Sequence, residues 1–182
     1  ALGSAVGSIQ EHSSLHFYGP SNDYVEIGNN SNISFSGDVS VSAWVSVENF
    51  DNNFSTVVSM TQDTDGFTID KDPFSNKLTW TVGTSEGHIA VTTDQLVEGV
   101  WYHIVATNDG STSKIYVNGL LHNSVSSGEM IASNGSLKIG IHSSVIYVPG
   151  YTSTEEISRS WDGHIDEVTI WNDVLSDTEV SA

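Results

Sequence analysis

Three aromatic side chains near the end of the chain, Tyr147, Tyr151 and Trp161, have the type and setting to hold a sugar. A pyranose ring stacks its C–H face on a flat apolar ring beside polar groups. Tyr147 and Tyr151 flank Pro149-Gly150 in a stretch, His142 to Ser160, with little alternation, and Trp161 closes it. A loop that long inside a compact β domain tends to carry function. The alternative is that Tyr147 and Ile146 fold under the loop as a small apolar cluster.

Other chemistry is thin. The Ser and His residues lack nucleophile-elbow spacing. The histidines, at 12, 16, 88, 103, 122, 142 and 164, show no i, i+4 pair on a helix and no zinc-type spacing. Asp63-Thr64-Asp65-Gly66 resembles half of a calcium loop without its third acid and terminal Glu, so it reads as a turn. Asp70-Lys71-Asp72 reads as a loop that already holds a cation.

Charge narrows the partners. Five Lys and Arg stand against 23 Asp and Glu, a formal net charge of −18, and the cations are scattered. Nucleic acid is therefore a poor partner, and polyanions would be repelled without a bridging cation. Cysteine is absent, which removes disulfides and thiolate metal sites. No run approaches the roughly 18 apolar residues of a membrane span.

Strands must position any site. Val39, Val41, Ala43, Val45 and Val47 alternate with Ser40, Ser42, Trp44 and Ser46, the period of a strand with one buried face. Further short strands are expected at 56–60, 66–70, 77–82, 88–92, 102–108, 114–117, 137–141 and 165–171. Trp80 shares a face with Leu78 and Val82 and is read as core. Turn dipeptides separate the strands; Asn118-Gly119 fits a type I′ hairpin. Ser176-Asp177-Thr178-Glu179 has capping-box spacing for a closing helical turn.

Three ordered segments carry a family likeness: Leu15 to Ile27 with Val41-Ser42-Ala43-Trp44-Val45; Gly99 to Thr107 with Ile115-Tyr116-Val117-Asn118-Gly119; and Trp161-Asp162-Gly163-His164-Ile165-Asp166-Glu167-Val168-Thr169-Ile170-Trp171. Together they resemble the laminin-G-like, concanavalin A-like lectin/glucanase domains. The resemblance implies an all-β, antiparallel two-sheet jelly-roll sandwich, a module that binds glycans or proteins. It also implies a structural calcium ion, for which Asp23 and Asp166 match the family's acidic positions. Trp44, Trp101 and Trp171 would be core or sheet-packing residues. Related glucanases carry Glu-Ile-Asp-x-x-Glu on a strand; His164 and Thr169 stand where both outer glutamates belong, which argues against catalysis.

The resulting expectation is a linker over residues 1–12 and a laminin-G-like sandwich over 13–182. The chain is read as a non-catalytic, lectin-like module for a neutral glycan within a larger secreted or cell-surface protein. Tyr147, Tyr151 and Trp161 would bind ligand, and Asp23 and Asp166 would bind calcium. A protein-docking adhesion or spacer module is the first alternative, a glucanase- or lyase-like enzyme the second.

Overall fold

The five alternating apolar residues Val39 to Val47 all bury completely or nearly so, because the strand they form faces a second sheet across the core. A computed structural model describes residues 14–28, 35–50, 54–61, 65–72, 74–146 and 155–181, without the side chains of 143–146 and 155–158. The expected linker 1–12 lies outside these, as do Tyr147 and Tyr151.

The strands are β1 (Leu15–Phe17), β2 (Val25–Gly28), β3 (Val39–Val47), β4 (Ser55–Met60), β5 (Phe67–Lys71), β6 (Leu78–Thr84), β7 (Gly87–Thr92), β8 (Trp101–Asn108), β9 (Thr112–Val117), β10 (Leu120–Ser126), β11 (Leu137–Ile139), β12 (Ser143–Ile146), β13 (Glu155–Ser158) and β14 (Gly163–Trp171). A short helix, α1 (Asp177–Val180), follows. The first sheet runs β1-β14-β3-β8-β9-β10 and the second β2-β11-β4-β5-β6-β7. Every strand pair is antiparallel. This is the two-sheet jelly-roll sandwich expected.

Valines of β3 meet Phe67, Ile69, Leu78, Trp80 and Val82 of the second sheet in one core. Trp80 is fully buried, as its alternation requires. Asn118 and Gly119 turn β9 into β10 with φ of 50° and 77°, the left-handed pair that a type I′ turn demands. The C-terminal turn forms its capping box, Ser176 Oγ accepting from Glu179 N while Glu179 accepts from Ser176 N. Val180 then packs on Val105 and Tyr116 over the outer face of the first sheet.

The structure corrects two expectations. His142 to Ser160 is not wholly irregular, since β12 pairs with β13 from Ser143↔Ser158 to Ile146↔Glu155. Asp70 and Lys71 lie within β5 rather than in a loop.

Candidate functional site

Strand alternation builds a polar surface on the second sheet's outer face. Phe67 and Ile69 point into the core, so Thr68 and Asp70 point out; Leu78, Trp80 and Val82 point in, so Thr79 and Thr81 point out. Register aligns them as Ser59–Thr68–Thr81 and Thr56–Asp70–Thr79. A groove of about 350 Å³ crosses this face, within the size range of small-molecule sites. Phe54, His142 and Arg159 contribute its aromatic and cationic lining, and His88 reaches it from β7.

Asp70 sits at the centre of this grid, only 9% exposed. Thr56 Oγ1 donates to its Oδ1 and Thr68 Oγ1 to its Oδ2, each at 2.5 Å. Those hydroxyls offset the cost of burying the charge. The Arg159 guanidinium lies 4.5 Å from the Phe54 ring centroid, a cation–π contact. His142 Nε2 is 3.0 Å from Thr61 Oγ1. Burial holds the His142 imidazole below its usual pKa; the Arg159 and Lys138 charges add to that, and Asp70 opposes it. The net shift favours the neutral ring. His142 Nδ1 and Arg159 Nε are buried with no hydrogen-bond partner. Buried polar atoms are nearly always satisfied, so these two are exceptions, as are Trp80 Nε1 and Trp161 Nε1 in the core.

Both Asp70 oxygens are engaged, and Asp72 accepts from Phe74 N and Ser75 Oγ in its own turn.

Of the predicted site residues, Tyr147 and Tyr151 lie outside the described residues. Trp161 is fully buried in the core cluster, so it offers no face to a sugar, and that expectation is corrected. Trp44 and Trp101, expected in the core or in sheet packing, are 38% and 40% exposed on the first sheet's outer face. There they line a shallow depression of about 410 Å³ with Ser14, Asp166 and Glu167. Trp44 stacks on His103 at 5.2 Å. Burial lowers the His103 pKa, and the Glu167 charge opposes the shift.

Asp23 and Asp166 do not come together. The β1–β14 register ends at Phe17↔Gly163, and Gly19 N donates to Asp162 Oδ1, so Asp162 neighbours the turn that carries Asp23. Asp23 Oδ2 accepts from Tyr18 N in that turn. Asp166 stands four residues along from Asp162, about 13 Å at strand rise, beside a bulge where Glu167 has φ 49°. Among the described residues, three metal-capable side chains converge at His16, Glu48 and His164, and neither aspartate is one of them.

The two antiparallel sheets form a jelly-roll β-sandwich with a polar groove across one of them, and no helix among the described residues is long and apolar enough to cross a membrane. The chain matches the laminin-G model of the concanavalin A-like lectin/glucanases superfamily over residues 19–181, and it belongs to that family. No curated protein matches its sequence. Similar solved structures include the binding domain of Paraclostridial Mosquitocidal Protein 1, with TM-score 0.69 and 20% identity over 92% of this chain and 42% of that one. Domain 4 of an extracellular arabinanase from Geobacillus stearothermophilus, solved with arabinotriose, matches at TM-score 0.63 and 19% identity, covering 87% of this chain and 70% of that one. The botulinum neurotoxin serotype C1 binding domain matches at TM-score 0.63 and 18% identity over 87% and 39%. At such identity the likeness shows the fold alone. The chain spans less than half of either toxin domain.

Proposed function

We propose that this domain is a non-catalytic, lectin-like module that binds a neutral glycan in the groove over β5, β6 and β7. It would serve within a larger secreted protein. The reading rests on the groove's composition: outward hydroxyls of Thr68, Thr79 and Thr81, the fixed Asp70 carboxylate, and the His142 and Arg159 side chains in its wall. Sugar recognition uses such convergent donors and acceptors beside an apolar wall, here Phe54. The arabinotriose held by the arabinanase domain and the binding-domain character of the toxin relatives support the same class. Tyr147 and Tyr151 remain proposed ligand contacts, because the segment that carries them joins β12 to β13 between His142 and Arg159.

The test is a panel of neutral polysaccharides, arabinan first, in affinity electrophoresis with calcium and again with EGTA. Arg159→Ala removes a charged donor; at about 1.5–3 kcal/mol it should weaken binding roughly 10- to 150-fold. Thr81→Trp should fill the groove and abolish binding. Binding unchanged by both variants removes the groove from the reading. Loss in EGTA alone would support a calcium brace at the Asp23 turn. The exposed Trp44 and Trp101 favour the rival reading, a protein-docking module, which predicts silence toward every glycan.

A further inference from the structure

On the first sheet's outer face, far in sequence, three ligand-type side chains meet. β1 pairs with β14 so that His16 stands opposite His164, and β14 pairs with β3 so that His164 stands opposite Ser46, two residues before Glu48. The two imidazoles stack with centroids 4.6 Å apart. Glu48 Oε1 lies 3.1 Å from His16 Nε2 and 3.3 Å from His164 Nε2. All three ligand atoms fall within 4.8 Å of one another.

We propose that His16, His164 and Glu48 form a binding site for a divalent transition metal, with zinc and copper as the fitting ions. The distances have the right scale. Ligands about 2.0–2.1 Å from zinc stand about 2.9 to 3.4 Å apart for right-angle to tetrahedral geometry. Both imidazole-to-carboxylate separations lie in that interval, and the two imidazole nitrogens lie within 4.8 Å of each other. Two imidazoles and one carboxylate select zinc, copper or nickel over calcium or magnesium, which prefer all-oxygen shells.

A supporting contact orients one ligand. Ser14 Oγ lies 3.0 Å from His164 Nδ1. With Nδ1–H donating to that hydroxyl, Nε2 carries the lone pair that a metal needs. The three side chains are 49%, 35% and 45% exposed, so an ion can enter and keeps open positions for water. Bound metal would tie the three-residue edge strand β1 to the sheet through β14 and the end of β3. The site lies on the opposite sheet from the groove and is independent of it.

Zinc chloride is titrated into tag-free protein by calorimetry, with calcium present to occupy hard acidic sites. Copper quenching of tryptophan fluorescence gives a second readout, since the Trp101 ring lies 5.8 Å from the His164 ring. The expected result is one saturable equivalent. His16→Ala, His164→Ala and Glu48→Gln should each weaken it by more than about tenfold, and Ser14→Ala by about tenfold. His122→Ala is the control: its Asp94 partner is 3.6 Å away, and the pair belongs to no three-ligand group among the described residues. Because the three ligands are part-exposed, far-ultraviolet circular dichroism should report native fold in each variant. Several weak equivalents insensitive to these substitutions, or no saturation, would overturn the site and leave a histidine–glutamate ion pair.

Discussion

Replacing Trp161 separates a core role from a ligand role. The side chain is fully buried among the core cluster, and its Nε1 has no hydrogen-bond partner. An aromatic residue buries about 150–250 Å², which at about 25 cal/mol per Å² is roughly 4–6 kcal/mol. Large-to-small substitutions of buried aromatics cost about 3–5 kcal/mol. Trp161→Ala should lose about that much, a fifth or more of the roughly 5–15 kcal/mol that holds a domain folded. Trp161→Phe should differ by no more than about 2 kcal/mol, because lost ring volume is offset by removing an unsatisfied N–H worth about 1–3 kcal/mol. Urea unfolding followed by circular dichroism, with glycan affinity measured on the folded fraction, reads both. If Trp161→Ala left the unfolding midpoint within experimental scatter while abolishing glycan binding, the burial argument would be refuted and the sugar-stacking role restored.

Further outcomes concern pH and backbone. His142 is held below its ordinary pKa of 6.5 by burial first. The unfolded chain therefore takes up a proton that the folded chain resists, and stability falls as pH drops below about 6.5, at no more than about 1.4 kcal/mol per pH unit for this group. The loss is complete below the folded pKa. Urea midpoints between pH 7.5 and 5 should show the slope, and His142→Gln should flatten it; an unaltered slope assigns the effect elsewhere. Gly66, at the groove's edge, has φ +72°, and an added Cβ would sit 1.8 Å from Met60 O. Gly66→Ala should destabilise by more than about 3 kcal/mol. A soluble variant with a wild-type urea midpoint would show that the backbone can shift there at little cost.

Much of the fold was legible along the chain because its causes are local. The alternation of Val39 to Val47 announced a strand with a buried face, Asn118-Gly119 a tight hairpin, and Ser176 to Glu179 a capped turn. Each works through neighbours within a few residues, so each leaves a signature in the sequence. The β12–β13 hairpin left none, since Ser143-Ser144 and Glu155-Glu156 carry no alternation and pair only across the intervening segment.

The sites were largely illegible. Trp161 and Trp101 look alike in sequence, one ending an aromatic loop and one opening a strand, yet Trp161 is buried in the core and Trp101 is exposed. Inward or outward orientation at a strand end depends on which sheet covers it, and no residue beside either tryptophan encodes that. Asp23 and Asp166 matched a familiar pattern, but register set Asp162 beside the Asp23 turn instead. The groove's Asp70, His142 and Arg159 come from three separate segments, with only the Thr68–Asp70 and Thr79–Thr81 alternation as a local hint.

By itself, then, the sequence determined the fold class, the main strands and turns, and a strongly acidic net charge, because periodicity, turn chemistry and net charge are properties of the chain. Only the tertiary structure decided which side chains share a surface. His16 and His164 stand 148 positions apart in the sequence and become stacked neighbours solely because antiparallel register pairs β1 with β14. Register is set by the burial of whole sheet faces, a cooperative outcome that no short stretch of residues carries.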